Sequence, residues 1–160
     1  MIGVTTLFSN RGQFINAREG EGFDWVQVGV TRRLWIFPRV QWEFRLNPLT
    51  PLTWHDVSGF WQPDRKRLTD GGSVPSLIRP FLPEAQFPAS YSFHDCAWSK
   101  QADGRIGLYR SAAFAGPYEF CPLTRKQSNA MLQAWIEAEG GGAIARAFIG
   151  AGVGLGRLWR

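Results

Sequence analysis

Residues 40–46 alternate strictly between apolar and polar side chains, which constrains this segment to an extended conformation. The side chains that share the apolar side are Val40, Trp42, Phe44 and Leu46. A period of two indicates a β-strand with one buried face. Residues 25–30 and 34–37 are also rich in β-branched and aromatic side chains, and residues 52–61 resemble a further strand or strand pair. The first 62 residues therefore predict a small antiparallel sheet.

Two other segments of this half carry expectations of their own. Residues 1–8 are predicted to add a first strand. Residues 11–22 are polar and contain glycine, so we expect a loop that is mobile or bound to a partner.

The chain after residue 69 is patterned for helices. Thr124 and Gln127 form a capping box, which predicts a helix over residues 125–139 that ends at Gly140. A second helix is predicted over residues 88–101, and residues 105–120 are expected to be a loop with a short ordered piece. The fold class is therefore α+β: a sheet in the N-terminal half packed with three to four helices, in a single domain spanning residues 1–160.

The last segment, residues 143–159, has apolar residues near helical spacing but glycine at 150, 152, 154 and 156. Each glycine costs a helix about 1 kcal/mol. We therefore expect a helix here only if packing against a neighbouring helix stabilises it.

The stretch from Thr69 to Trp98 holds the residues best suited to a polar site. Asp70 lies in a glycine turn, where Ser73 is a good N-cap for a short helix over residues 74–79. On the following helix, the four-residue spacing places His94 on the same face as Trp98, with Asp95 one step round.

These residues resemble a phage and prophage family described as domain of unknown function 1353. Its members carry a Thr-Asp-x-x-Ser-Val-Pro turn, followed about twenty residues later by a His-Asp pair and aromatic residues. The matching positions are Thr69, Asp70, Ser73, Val74, Pro75, His94, Asp95 and Trp98. Asn129 stands where an acid is expected. The family has no established activity, so the resemblance implies a phage origin and a fold rather than a reaction.

Three interpretations of Asp70, His94 and Asp95 remain open. In the first, Asp70, Ser73 and His94 form a structural polar staple that pins the turn to the helix. In the second, Asp70, His94 and Asp95 are catalytic candidates of a metal-dependent hydrolase, with Cys96 or the pair His55 and Asp56 as extra ligands. The third, an Asp–His–Ser relay through Ser73, is the least favoured. No ligand spacing supports a metal, so neither a metal nor another cofactor is expected.

Charge and cysteine content limit the location and the partners. The net charge of +5 permits nucleic acid as a partner, but the basic residues are scattered and support it weakly. No apolar run predicts a membrane span or a signal peptide, so the virion or the host cytoplasm is the expected location. Cys96 and Cys121 are expected to be free thiols, with a bridge between them as the alternative.

The eight tryptophans suggest how the chain works. Five of them fall in the β half: Trp25, Trp35, Trp42, Trp54 and Trp61. In a sheet, one face can pack against the helices while the other meets water or a partner. We therefore expect an accessory or virion protein that binds other phage subunits in an oligomeric assembly. The alternative is a small phage hydrolase acting on cell wall or nucleic acid. The residues favour a binding protein over an enzyme.

Overall fold

Two antiparallel sheets and three helices form the part of the chain that the computed structural model describes, residues 12–32, 38–69, 86–98 and 104–155. The strands are β1 Gln13–Ile15, β2 Phe23–Arg32, β3 Pro38–Leu46, β4 Thr53–Asp56, β5 Gly59–Gln62, β6 Lys66–Thr69, β7 Gly107–Ser111 and β8 Glu119–Pro122. The helices are α1 Pro88–Trp98, α2 Arg125–Ala138 and α3 Ala143–Leu155. The α+β class predicted from the sequence is confirmed, with the helices mostly in the C-terminal half.

The larger sheet has five strands in the order β1-β4-β5-β7-β8, all antiparallel. Trp54 on β4 lies opposite Trp61 on β5, and both side chains enter the core. Residues 105–120 were expected to be a loop with a short ordered piece; the ordered part is the strand β7 together with the start of β8, and the rest of the segment is loop. The strand β7 pairs with β5, which comes from the other half of the chain, and β8 pairs with β7.

The smaller sheet has three strands in the order β2-β3-β6. Phe44 on β3 faces Trp25 on β2, and both side chains belong to the core, with Trp42 packed against it. The alternation over residues 40–46 thus corresponds to a strand with one face on the core. A β-bulge interrupts the β2–β3 pairing between Gln27 and Gly29.

Helix α1 contacts both sheets. The ring of Phe93 lies 5.5 Å from that of Phe14 on β1. On the other side, the Trp25 indole Nε1 donates a hydrogen bond of 2.8 Å to the hydroxyl of Ser92. The helix therefore fixes the two sheets relative to one another through one aromatic contact and one buried hydrogen bond.

Helix α2 begins as the sequence predicts. Thr124 is the N-cap, and its reciprocal capping box with Gln127 is complete. Gly140 follows the helix with φ of 85°, a left-handed conformation that glycine adopts without strain. Helix α3 forms in spite of its glycines. A Cβ at Gly150 would lie 2.9 Å from the side-chain amide nitrogen of Gln133 on α2, so this glycine lies where the two helices meet.

The segment predicted to be a mobile loop, residues 11–22, contains an ordered strand, which corrects that prediction over β1. The turn after it is tied to the β3–β4 connection, since the carbonyl of Gly22 accepts hydrogen bonds from the N–H groups of Asn47 and Leu52. The strands predicted at residues 1–8 and 34–37, and the short helix at 74–79, lie outside the described residues.

Candidate functional site

The polar site predicted from the sequence is described in part. Asp70 and Ser73 lie outside the described residues, so the proposed staple between Asp70, Ser73 and His94 stays a prediction. His94 and Asp95 lie on α1 as expected, with side chains 11 % and 20 % exposed. The His94 Nδ1 and the nearer Asp95 carboxylate oxygen are 4.0 Å apart, which is beyond hydrogen-bonding distance.

His94 contacts α2 through Asn129. The imidazole Nε2 lies 3.1 Å from the Asn129 side-chain oxygen. Its ring also stacks on Trp98 with the ring centres 5.4 Å apart, which confirms the predicted common face of the helix. The guanidinium of Arg125 lies over the ring of Trp98, 5.0 Å from the ring centre. The amide of Asn129 and the indole of Trp98 therefore contact His94, and Arg125 covers the Trp98 ring.

A second polar group lies beside α1. Arg67 and Asp64 form an ion pair of 2.6 Å with largely buried side chains. The thiol of Cys96 is buried nearby, and this burial raises its pKa well above the ordinary value, with the Asp64 carboxylate adding to the effect. A thiol held in its protonated form is a poor nucleophile and a poor metal ligand. Cys96 belongs to the buried core, and both Cys96 and Cys121 are free thiols.

The other His-Asp pair of the sequence, His55 and Asp56, points to opposite faces of β4. Asp56 is buried, where its carboxylate accepts hydrogen bonds from the Trp54 indole at 3.0 Å and from the Ser58 N–H at 2.8 Å. His55 stacks instead on Phe60 on the opposite face. Both residues line a shallow groove of about 550 Å³ between β1, the β4–β5 turn and α2. Their divergence removes them as joint ligands of one ion.

Across the described ranges, no three His, Cys, Asp or Glu side chains come together in an arrangement that could hold a metal ion. The candidate ligand Cys96 lies in the core with 1 % of its surface exposed.

The tryptophans predicted to form an exposed interface lie elsewhere. Trp54 and Trp61 are 1 % and 0 % exposed, and Trp25 is 8 % exposed. The prediction is wrong for these three, because the helices cover the sheet faces that carry them. Trp42 is half-buried against the core, and Trp35 lies outside the described residues.

An aromatic surface does exist, on the face of the five-stranded sheet opposite Trp54 and Trp61. We call it the outer aromatic face; its members are His55, Phe60, Tyr109, Phe114, Tyr118 and Phe120. Phe60 stacks on His55 with ring centres 4.2 Å apart and meets Phe114 edge to face at 5.9 Å. Phe114 is 41 % exposed. This surface was not predicted, because the ordered piece expected within residues 105–120 was not identified as a strand of this sheet; it is β7.

The other end of the outer aromatic face is formed by Tyr109 and Phe120, whose rings meet edge to face at 5.7 Å. The guanidinium of Arg105 lies 4.1 Å over the Phe120 ring. The loop between β7 and β8 folds back across the face, where the Tyr118 hydroxyl donates a hydrogen bond of 3.2 Å to the carbonyl of Phe114. The aromatic side chains are thus held in place by the sheet and by this loop.

Comparison with known proteins leaves the family undecided: no family model matches the chain, and no curated protein or solved structure is significantly similar to it. The resemblance to domain of unknown function 1353 therefore stays a prediction. None of the helices in the described residues has the length and apolar character needed to cross a membrane.

Proposed function

We propose that this chain is a phage accessory or virion structural protein that binds other phage subunits through its outer aromatic face. The phage context rests on the resemblance carried by Thr69 to Trp98. The binding role rests on one observation, the row of partly exposed aromatic side chains on the sheet face opposite the core residues Trp54 and Trp61.

An aromatic surface of this kind suits protein binding for an energetic reason. Phe and Tyr side chains bury a large area with few rotatable bonds, and they are enriched at the centres of protein interfaces. Here the contacts of Phe60 with His55 and Phe114 order the rings before any partner arrives. Ordered side chains lose little conformational entropy on binding.

The metal-dependent hydrolase using Asp70, His94 and Asp95 is the second candidate. The described contacts of His94 are with the amide of Asn129 and the ring of Trp98. Both suit a histidine held in position between two helices. Neither is a ligand arrangement for a catalytic ion, so the binding role is the one we put forward.

Site-specific photocrosslinking tests the proposal. A photoreactive phenylalanine analogue replaces Phe114 in the chain expressed during phage production, and the crosslinked peptides are identified by mass spectrometry. The matched control places the same analogue at Ile144, which is 75 % exposed on α3 and is not a member of the outer aromatic face. We expect a crosslink to a phage subunit from position 114 and none from 144.

Two results would contradict the proposal. One is equal crosslinking from both positions, which indicates nonspecific contact. The other is that the chain is found neither in purified particles nor in assembly intermediates and forms no crosslink to a phage subunit. Hydrolysis of cell wall or nucleic acid that is lost on His94→Ala would favour the second candidate instead.

A further inference from the structure

The outer aromatic face is uneven in its charge. The strand positions that share the side of Phe60 carry aromatic, aliphatic, amide, hydroxyl and small residues, and no carboxylate occurs among them in the described strands. The acidic residues of these strands, Asp56 and Glu119, stand on the opposite face. The strand residues on this side therefore contribute no carboxylate, and the nearby carboxylates of Asp56 and Glu137 line the groove at the His55 end.

A positive charge is fixed at one end of this face. The guanidinium of Arg105 lies 4.1 Å over the ring of Phe120, so its position relative to the aromatic side chains is defined. A guanidinium has five N–H donors, and it can bind a carboxylate while it also contacts other groups. The whole chain carries a net charge of +5, which adds a long-range attraction for acidic partners.

We propose that the partner segment that docks on the outer aromatic face is acidic, with a carboxylate that meets Arg105 and apolar side chains that cover Phe60 and Phe114. This inference rests on the proposed function and names the chemistry of the partner. Charge complementarity determines which segment binds, and the aromatic contact supplies most of the affinity.

The argument favours an acidic protein segment over single-stranded nucleic acid. A protein that follows a nucleic-acid backbone needs a groove lined by several cations. On this face the structure places one guanidinium beside six aromatic side chains, two of which already stack on each other. One cation suits one carboxylate within an otherwise apolar contact.

Peptide binding to the purified chain tests the inference. The probes are a short labelled peptide in which Glu alternates with Phe, its counterpart with Lys in place of Glu, and a short deoxythymidine oligonucleotide. Affinities are measured by fluorescence anisotropy at low and high salt. We expect the acidic peptide to bind best and to weaken as salt increases.

Arg105→Glu should lower the affinity for the acidic peptide by about five-fold or more and raise the affinity for the basic peptide, because the substitution replaces an attraction by a repulsion. Arg105→Gln should give a smaller loss in the same direction. The matched control is Arg18→Glu, which makes the same charge change in the β1–β2 connection, at the other end of the sheet order. It should change the affinity by no more than about two-fold.

The inference is overturned if the basic peptide or the oligonucleotide binds as well as the acidic one, if none of the probes binds, or if Arg105→Glu has no more effect than Arg18→Glu. Circular dichroism of each variant verifies its fold. Failure of the inference differs from failure of the proposed function: a subunit crosslinked at position 114 through a basic segment removes only the inference. The absence of any crosslinked subunit removes the function.

Discussion

The carboxylate of Glu139 caps the N-terminus of α1 at Ser90. Glu139 is the residue that directly follows α2. It accepts hydrogen bonds from the Ser90 N–H at 2.7 Å and from the Ser90 hydroxyl at 2.5 Å, and its other oxygen accepts from the Ala89 N–H at 3.1 Å. The first N–H groups of a helix have no partner within the helix, and an acidic group there also interacts favourably with the helix dipole. This contact fixes the angle between the two helices that hold His94.

Removing this cap should destabilise the protein. Glu139→Ala leaves two backbone N–H groups and a buried hydroxyl without an acceptor, and we expect a loss of about 1–3 kcal/mol in the free energy of unfolding. Glu139→Gln keeps one acceptor oxygen and should cost less. The measurement is urea denaturation, with Glu137→Ala as a control at an exposed ion pair. Equal stability of Glu139→Ala and the control would contradict the capping role.

The same carboxylate should give the stability a characteristic pH dependence. Burial raises the pKa of Glu139 above its ordinary value, against the opposing effect of the hydrogen bonds from Ser90 and Ala89. The folded state therefore holds this proton more tightly than the unfolded state. This tighter proton binding stabilises the folded state. The stabilisation is fully present below the unfolded pKa of 4.5 and is lost as the pH rises through the folded pKa. The free energy of unfolding, measured by urea denaturation, should decrease less with rising pH for Glu139→Gln than for the unmodified chain.

Glu43 should behave in the opposite way. A hydrogen bond from Lys66 and then one from Arg45 lower its pKa below 4.5. The stabilisation is present above 4.5 and is lost as the pH falls through the lower folded value. Glu43→Gln should be less stable than the unmodified chain at neutral pH, and the difference should shrink on acidification. A difference that stays constant from neutral to acid pH would show that the two ion pairs, at 2.6 and 3.0 Å, contribute nothing through charge.

The two cysteines should differ in reactivity. Cys96 is buried with a raised pKa, while Cys121 is half-buried with a smaller rise caused by the same effect. Iodoacetamide reacts with thiolates, so Cys121 should be labelled first and Cys96 only after unfolding. Mass spectrometry of native and urea-treated protein provides the measurement, and Cys121→Ser provides the control. Rapid labelling of Cys96 in the native protein would show that the core around α1 opens readily.

Much of the local structure was accessible from the sequence because its causes are local. The alternation at residues 40–46 and the capping box at Thr124 each depend on residues within one strand or one helical turn, and each appears in the structure. The strand β7 was missed because its stability comes from pairing Tyr109 with Gln62, residues far apart in the chain. A five-residue strand has too weak a pattern to be recognised without its partner.

The candidate site shows the same division. Residue types and helical spacing determined that His94 and Trp98 share a face, and the sequence by itself also determined the α+β class. Only the tertiary structure decided that Asn129, 35 residues away, meets His94, and that Trp54 and Trp61 are core residues while Phe60 and Phe114 face outward. The reason is physical: alternation along a strand states which side chains share a face, whereas the packing of the helices decides which face is covered.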